Sequence, residues 1–224
     1  MIYITGDTHG DQIRFIENNM LDSAWTERDT LIVCGDFGYV FLNNPLEDSF
    51  LDFLARKPYT ICFCDGNHEN FPAIFSYPKE EWKGGYVHKI RDNVLHLMRG
   101  QVFEIEGKKV FTMGGAYSID RAIRTLGRSY WTEEIPTKEE YEEARKNLSL
   151  HSNQVDLIIS HTAPTTAIKL MGYSPDPHDQ ELTDFLDWVN MSVFFERWYF
   201  GHWHLDKMVT DKLRAIYYGI HSFK

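Results

Sequence analysis

Short apolar runs recur along the chain, and most stop at a glycine or a polar residue. Ile2–Thr5, Thr30–Cys34 and Tyr59–Cys64 are near-continuous apolar stretches, the pattern of strands buried on both faces. Between them the apolar spacing changes to that of a helix. From Asp11 to Leu21, Ile13, Ile16 and Met20 share one face; from Leu46 to Arg56, Phe50, Leu51, Phe53 and Leu54 do so, and Pro58 ends the run. Residues 1–69 therefore predict strand, helix, strand, helix, strand.

The middle is less regular. Val87–Ile90 and Val94–Met98 are short strand candidates, and Val102–Ile105 with Lys109–Met113 predicts a hairpin around Glu106-Gly107-Lys108. Tyr117–Glu134 is polar, aromatic and without a period, as expected of a lid or binding loop. Pro136, Thr137 and Glu140 then open a helix of capping-box type that runs to about Leu150. Val155–Ser160 predicts a buried strand, Gln180–Val189 a helix facing inward through Leu182, Phe185, Leu186 and Val189, and Phe194–Phe200 another strand. Lys207–Thr210 and Arg214–Tyr218 predict a closing hairpin around Asp211-Lys212. The expected fold is mixed α/β (α+β): a two-layer, mostly β sandwich flanked by helices, in one domain over residues 1–224.

The chemistry lies where the strands end. Gly6-Asp7-Thr8-His9-Gly10, Gly35-Asp36, Gly66-Asn67-His68-Glu69, Ser160-His161 and Gly201-His202-Trp203-His204 each put Asp, Asn or His just past an apolar run. Ligands of open α/β sheets bind outside the carboxyl ends of the strands. A lone His at such a place is usually an ordinary polar residue; the combination offers imidazoles, carboxylates and one amide oxygen, the donor set of a two-metal site. Residues i and i+2 of an extended chain face the same way, so Asp7 with His9, and His202 with His204, can reach one cluster. Asp36, with two oxygens, can bridge two cations.

Composition narrows the remaining choices. With 43% hydrophobic and 25% charged residues the chain is an ordinary globular protein. Its net charge of −10 opposes duplex nucleic-acid binding, which relies on basic residues. It does not oppose a phosphate substrate, since bound cations reverse the local field. No run reaches membrane-spanning length, and Met1 leads directly into the first strand without a signal-peptide pattern, so a cytoplasmic protein is expected. Cys34, Cys62 and Cys64, an odd number within apolar runs, predict buried reduced thiols rather than disulfides. Walker-type and dinucleotide-binding glycine motifs are absent.

From residue 7 to residue 204 these motifs resemble the calcineurin-like metallophosphoesterases. That resemblance implies one metal held by Asp7, His9, Asp36 and His204, and a second held by Asp36, Asn67, His161 and His202. It implies a bridging water or hydroxide that attacks phosphorus in line. His68 matches the family's catalytic histidine, with Asp36 shared by both metals. The phosphoprotein phosphatase branch carries Asp and Arg three and four positions after the bridging Asp; here those positions are Tyr39 and Val40. Asp65 and Glu69 are the nearby carboxylates that could orient His68.

The expected activity is therefore hydrolysis of phosphomonoesters or phosphodiesters, the alternative being an inactive metal-binding scaffold of the same fold. Mixed nitrogen, carboxylate and amide ligands suit two transition-metal ions such as Mn, Fe or Zn better than an all-oxygen site. Arg121, Arg124 and Arg128 would share a face if their segment formed a helical turn. Arg121 and Arg128, bracketing it, are the expected phosphate clamp, set against a plain solvated basic face. Tyr117, Tyr130 and Trp131 nearby would favour a nucleotide-like ester.

Overall fold

The computed structural model describes residues 1–16 and 19–224. Its strands are β1 (Ile2–Thr5), β2 (Thr30–Val33), β3 (Thr60–Phe63), β4 (Lys79–Trp82), β5 (Gly85–Arg91), β6 (Val94–Leu97), β7 (Val102–Ile105), β8 (Lys108–Met113), β9 (Leu157–Ser160), β10 (Arg197–Phe200), β11 (Lys207–Met208), β12 (Leu213–Ala215) and β13 (Ile220–Phe223). The α-helices are α1 (Pro45–Ala55), α2 (Phe71–Phe75), α3 (Lys138–Leu150), α4 (Thr165–Met171) and α5 (Gln180–Ser192).

Two mixed sheets form the centre. The first has the order β13-β1-β2-β3-β6-β5-β4 and the second β11-β12-β10-β9-β8-β7. The strands that precede the candidate ligands run parallel to their neighbours: β1 with β2, β2 with β3, and β9 with β10. Their carboxyl ends consequently lie along one edge of each sheet. The inner faces pack together through Ile4, Ile32, Cys62 and Leu95 of the first sheet and Phe103, Val110, Leu157 and Ile159 of the second. Alternate residues of the same strands face outward. Leu31, Val33, Ile61 and Phe63 pack under α1; Phe111, Ile158, Trp198 and Phe200 pack under α3, α4 and α5. The mostly β sandwich with helices outside is thus the observed architecture.

Local signals explain the helix starts. Asn44 accepts from the backbone N–H groups of Leu46 and Glu47, and Pro45 occupies the first turn of α1. Thr137 and Glu140 close the capping box of α3. All three cysteines are buried and free, and burial pushes the Cys34, Cys62 and Cys64 thiols up.

Several expectations are corrected. Among the described residues of Asp11–Leu21 a 3-10 turn over Gln12–Phe15 stands in place of the expected α-helix; Glu17 and Asn18 lie outside the described residues. Ile13, expected inside, is 61% exposed, while Arg14 turns inward. Its guanidinium donates to the Asp7 carbonyl at 3.2 Å, Thr5 Oγ1 at 2.7 Å and the Tyr217 carbonyl at 3.2 Å. The Phe194–Phe200 strand begins only at Arg197, and Phe194 is exposed. The closing hairpin is shorter than expected, pairing β11 with β12, and β13 then returns to pair antiparallel with β1.

A buried polar chain braces the loop after β3. His88 Nδ1 lies 3.0 Å from His96 Nδ1, His96 Nε2 lies 3.1 Å from Asp65 Oδ1, and Arg99 Nε donates to Asp65 Oδ2 at 2.8 Å. Removing one partner of a buried ion pair leaves an uncompensated charge. Arg99→Ala is therefore expected to lower unfolding free energy by about 3–5 kcal/mol, measured by urea denaturation. The same chain makes the fold acid-sensitive. Burial, then His96, pushes His88 down to about 4. The unfolded chain binds its proton near the ordinary value of about 6.5, so between those values it holds more protons than the fold. Stability is present above about 6.5 and is lost as pH drops toward 4. His88→Gln is expected to flatten that part of the pH–stability curve.

Candidate metal centre

The loops after β1, β2, β3, β9 and β10 converge. Asp7, which follows β1, is 1% exposed, and both its oxygens accept the His202 backbone N–H at 3.0 Å. The β1 loop is tied to the β2 loop: Thr8 and His9 N–H donate to the Asp36 carbonyl at 3.1 and 2.7 Å. Glycines permit these approaches. A Cβ on Gly66 would run into the Asp36 carboxylate, and one on Gly201 into that of Asp7.

The seven expected ligands form two groups joined by Asp36. In the first, His9 Nε2 and His204 Nε2 face each other at 2.9 Å, and His204 Nε2 lies 3.2 Å from Asp7 Oδ2. In the second, Asn67 Oδ1 lies 3.0 Å from His161 Nε2 and 3.0 Å from His202 Nδ1. Asp36 Oδ2 is 3.8 Å from His9 Nε2, and Asp36 Oδ1 is 3.5 Å from His161 Nε2. The donor atoms of Asp7, His9 and His204, and those of Asp7, Asp36 and His161, are close enough to share an ion. The first group is the more exposed, whereas His161 is fully buried.

The donor groups suit metal ligation. His161 Nδ1 lies 2.9 Å from the Cys34 carbonyl. Donating its proton there leaves Nε2 free to ligate, as metal-binding histidines require. Asn67 Nδ2 donates to Ser118 Oγ at 3.1 Å, which turns Oδ1 toward the imidazoles. Ser118 Oγ in turn donates to Glu134 Oε2 at 2.8 Å, and Arg121 pairs with Glu134. Protein charges bias the protonation states accordingly. Burial raises Asp36, but His161, His68 and His9 together hold it below the usual carboxylate range. Burial, then His161, pushes His202 down to about 3, so it is neutral near pH 7.

The extended-chain argument for the paired ligands is corrected. His9, Asp36, His202 and His204 have φ of 49°, 48°, 64° and 48°. These four candidate ligands sit in left-handed turns, a backbone conformation that costs about 1–3 kcal/mol per residue and concentrates at functional sites.

His68 sits beside this set. Its backbone N–H donates to Asp36 Oδ1 at 2.7 Å, and its ring meets that of His9 edge-on at 5.4 Å. Burial is the first cause that pushes His68 down, with Asp36 opposing and Arg124 assisting. Neither sequence candidate for orienting it turns that way. Asp65 serves His96 and Arg99; Glu69 is fully buried and accepts from Phe37 N–H at 2.7 Å and Gly38 N–H at 3.4 Å. The group that touches the His68 ring is Arg124, through Nη2. Arg124 is held by Asp120 Oδ1 at 2.7 Å from Nε and by the Ser129 carbonyl at 2.8 Å from Nη1. Tyr39 and Val40 are buried, and Tyr39 Oη donates to the Asp11 carbonyl.

The expected arginine face does not form, because the 3-10 turn covers only Arg121–Ile123. Arg121 faces Glu134 and lies over the Tyr117 and Tyr130 rings at 4.0 and 5.0 Å. Arg128 is exposed. Neither lines the cavity of about 770 Å³ beside His9 and His68, whereas Arg124 does. Ser118, Glu134, Asp120 and Arg124 support Asn67 and His68 and were not among the residues expected here. Arg124 alone carried a sequence signal, as the central member of the arginine cluster. Among the described residues no helix is long and apolar enough to cross a membrane.

Among curated proteins none matches this chain. The family model for calcineurin-like phosphoesterases matches residues 1–206, and with these loops and donor groups at its centre the chain belongs to that family.

Proposed function

We propose that the protein is a dinuclear metal-dependent hydrolase that cleaves phosphomonoester or phosphodiester bonds. Membership of the family implies metal-dependent phosphoester chemistry; the observation that carries the finer reading is Asp36, whose two oxygens face the two ligand groups separately. Asp7, His9, Asp36 and His204 would hold one ion, and Asp36, Asn67, His161 and His202 the other. Mn, Fe and Zn all suit this mixture of imidazole, carboxylate and amide oxygen. When bound, two such cations polarise phosphoryl oxygens and make water a competent nucleophile near neutral pH.

The chain's own groups do the rest. Asp36 fixes the backbone of His68 beside the ligand set. From there His68 would donate a proton or hydrogen bond to the ester oxygen as the bond breaks. Arg124, anchored by Asp120 and Ser129, presents a guanidinium next to His68 where phosphoryl charge accumulates. The chain carries every residue type that the family resemblance implies for the ligands, together with His68, which supports an enzyme over an inactive scaffold. Assays of a chromogenic phosphomonoester and a phosphodiester, each with and without Mn, test this reading. Metal-dependent turnover of either supports it; no turnover with Mn, Fe or Zn would favour the scaffold.

A further inference from the structure

The cavity of about 770 Å³ falls within the range of small-molecule sites. It is continuous with the metal-ligand set, since His9 and His68 line it. Tyr39, Phe41, Leu42, Leu46, Phe50 and Ile123 give it a hydrocarbon and aromatic wall. Gln12, Asn44, Glu47, Asp120, Arg124 and Ser129 are the polar residues that share the lining. Leu42, Leu46 and Ile123 are 69%, 79% and 87% exposed. Large apolar side chains gathered in the open beside a reactive centre commonly mark a binding groove.

The charged groups in the cavity are already engaged. Glu47 accepts the backbone N–H groups of Phe41, Leu42 and Asn43 at 2.8, 2.8 and 2.7 Å, which shapes that wall. Asp120 is paired with Arg124. Among the described residues Arg124 is the one Lys or Arg that lines the cavity. The site can therefore neutralise a single phosphoryl group at the metal end and presents no second cation for a polyphosphate tail. The aromatics that would favour a nucleotide-like ester are not in it. Tyr117 and Tyr130 carry Arg121, and Trp131 is buried against Phe41.

We propose that this cavity is the subsite for the esterified group, and that it selects an apolar alkyl or aryl alcohol joined to a single phosphoryl group. The proposal rests on the phosphoesterase reading above. Phosphates of primary alcohols test it, because leaving-group basicity stays nearly constant while apolar area grows. The substrates are ethyl, butyl, hexyl and 2-phenylethyl phosphate, with glycerol 1-phosphate and adenosine 5′-monophosphate as polar counterparts. Burying a methylene contributes roughly 0.8 kcal/mol, about fourfold in affinity. With the Mn-loaded protein, KM is expected to fall by about tenfold or more from ethyl to hexyl phosphate, with little change in kcat, and glycerol 1-phosphate should behave like ethyl phosphate. Leu46→Ser and Ile123→Ser are expected to flatten the series. Calorimetric titration with ethyl- and hexylphosphonate supplies a reading independent of turnover. Phosphonate binding that tightens with chain length, in a protein that hydrolyses no ester, would keep the subsite and remove the hydrolase. Hydrolysis without chain-length dependence, or a preference for adenosine 5′-monophosphate or glycerol 1-phosphate, would overturn the subsite alone.

Discussion

Asp36→Asn is expected to abolish activity and empty both metal positions. The substitution preserves side-chain shape but removes the negative charge of the carboxylate whose two oxygens face the two ligand groups separately. Every other proposed ligand serves one ion, so a change at His204 or His161 should weaken one position first. Loss of about 10³-fold or more in kcat/KM, roughly 4 kcal/mol of transition-state stabilisation, is the expected size. Elemental analysis of the dialysed variant should show less than one ion per chain. Retention of both ions, with normal turnover, would mean that Asp36 is a structural carboxylate that caps the His68 loop.

His68→Ala is expected to lower kcat by about 10²–10⁴-fold, the range for loss of a general acid or base. Metal content should be unchanged, because the His68 ring does not belong to either ligand group. That separation of turnover from metal binding distinguishes it from Asp36→Asn. Arg124→Ala should move the same parameter in the same direction, since its guanidinium touches the His68 ring. Arg128→Ala, exposed and outside the cavity, should leave kinetics unchanged. Normal turnover by His68→Ala would reduce its imidazole to a packing role.

The elements that hold the site were legible because they are local. β1, β2 and β3 are near-continuous apolar runs, and Asp7, Asp36 and Asn67 follow them within a few residues; after β3 the nearer polar residue, Asp65, turns instead to His96 and Arg99. The capping box of α3 is likewise written in Thr137 and Glu140. What could not be read depends on distant partners. The Asp11–Leu21 periodicity gave way because Arg14, a polar residue on paper, satisfies carbonyls of Asp7 and Tyr217. β4, Lys79-Glu80-Glu81-Trp82, exists through pairing with β5 and has little apolar content to announce it. β13 is visible only once β1 is known to have a free edge.

Within the site, the ligand residues stand out by type, whereas their supports do not. Nothing in the spacing says that Asp65 turns to Arg99 and Glu69 to the Phe37 backbone. The choice among Arg121, Arg124 and Arg128 turned on a single 3-10 turn that breaks the expected helical face. The left-handed backbone at His9, Asp36, His202 and His204 is equally invisible, since none of those residues is glycine.

The most direct test is to count and place the metal ions. The protein is stripped with chelator, reconstituted with Mn and dialysed, then measured by elemental analysis and by anomalous diffraction at the metal edge. Two ions per chain are expected, one between His9 and His204, the other beside His161, Asn67 and His202, with Asp36 touching both. A single ion, no ion, or two ions that do not share Asp36 would contradict the dinuclear centre.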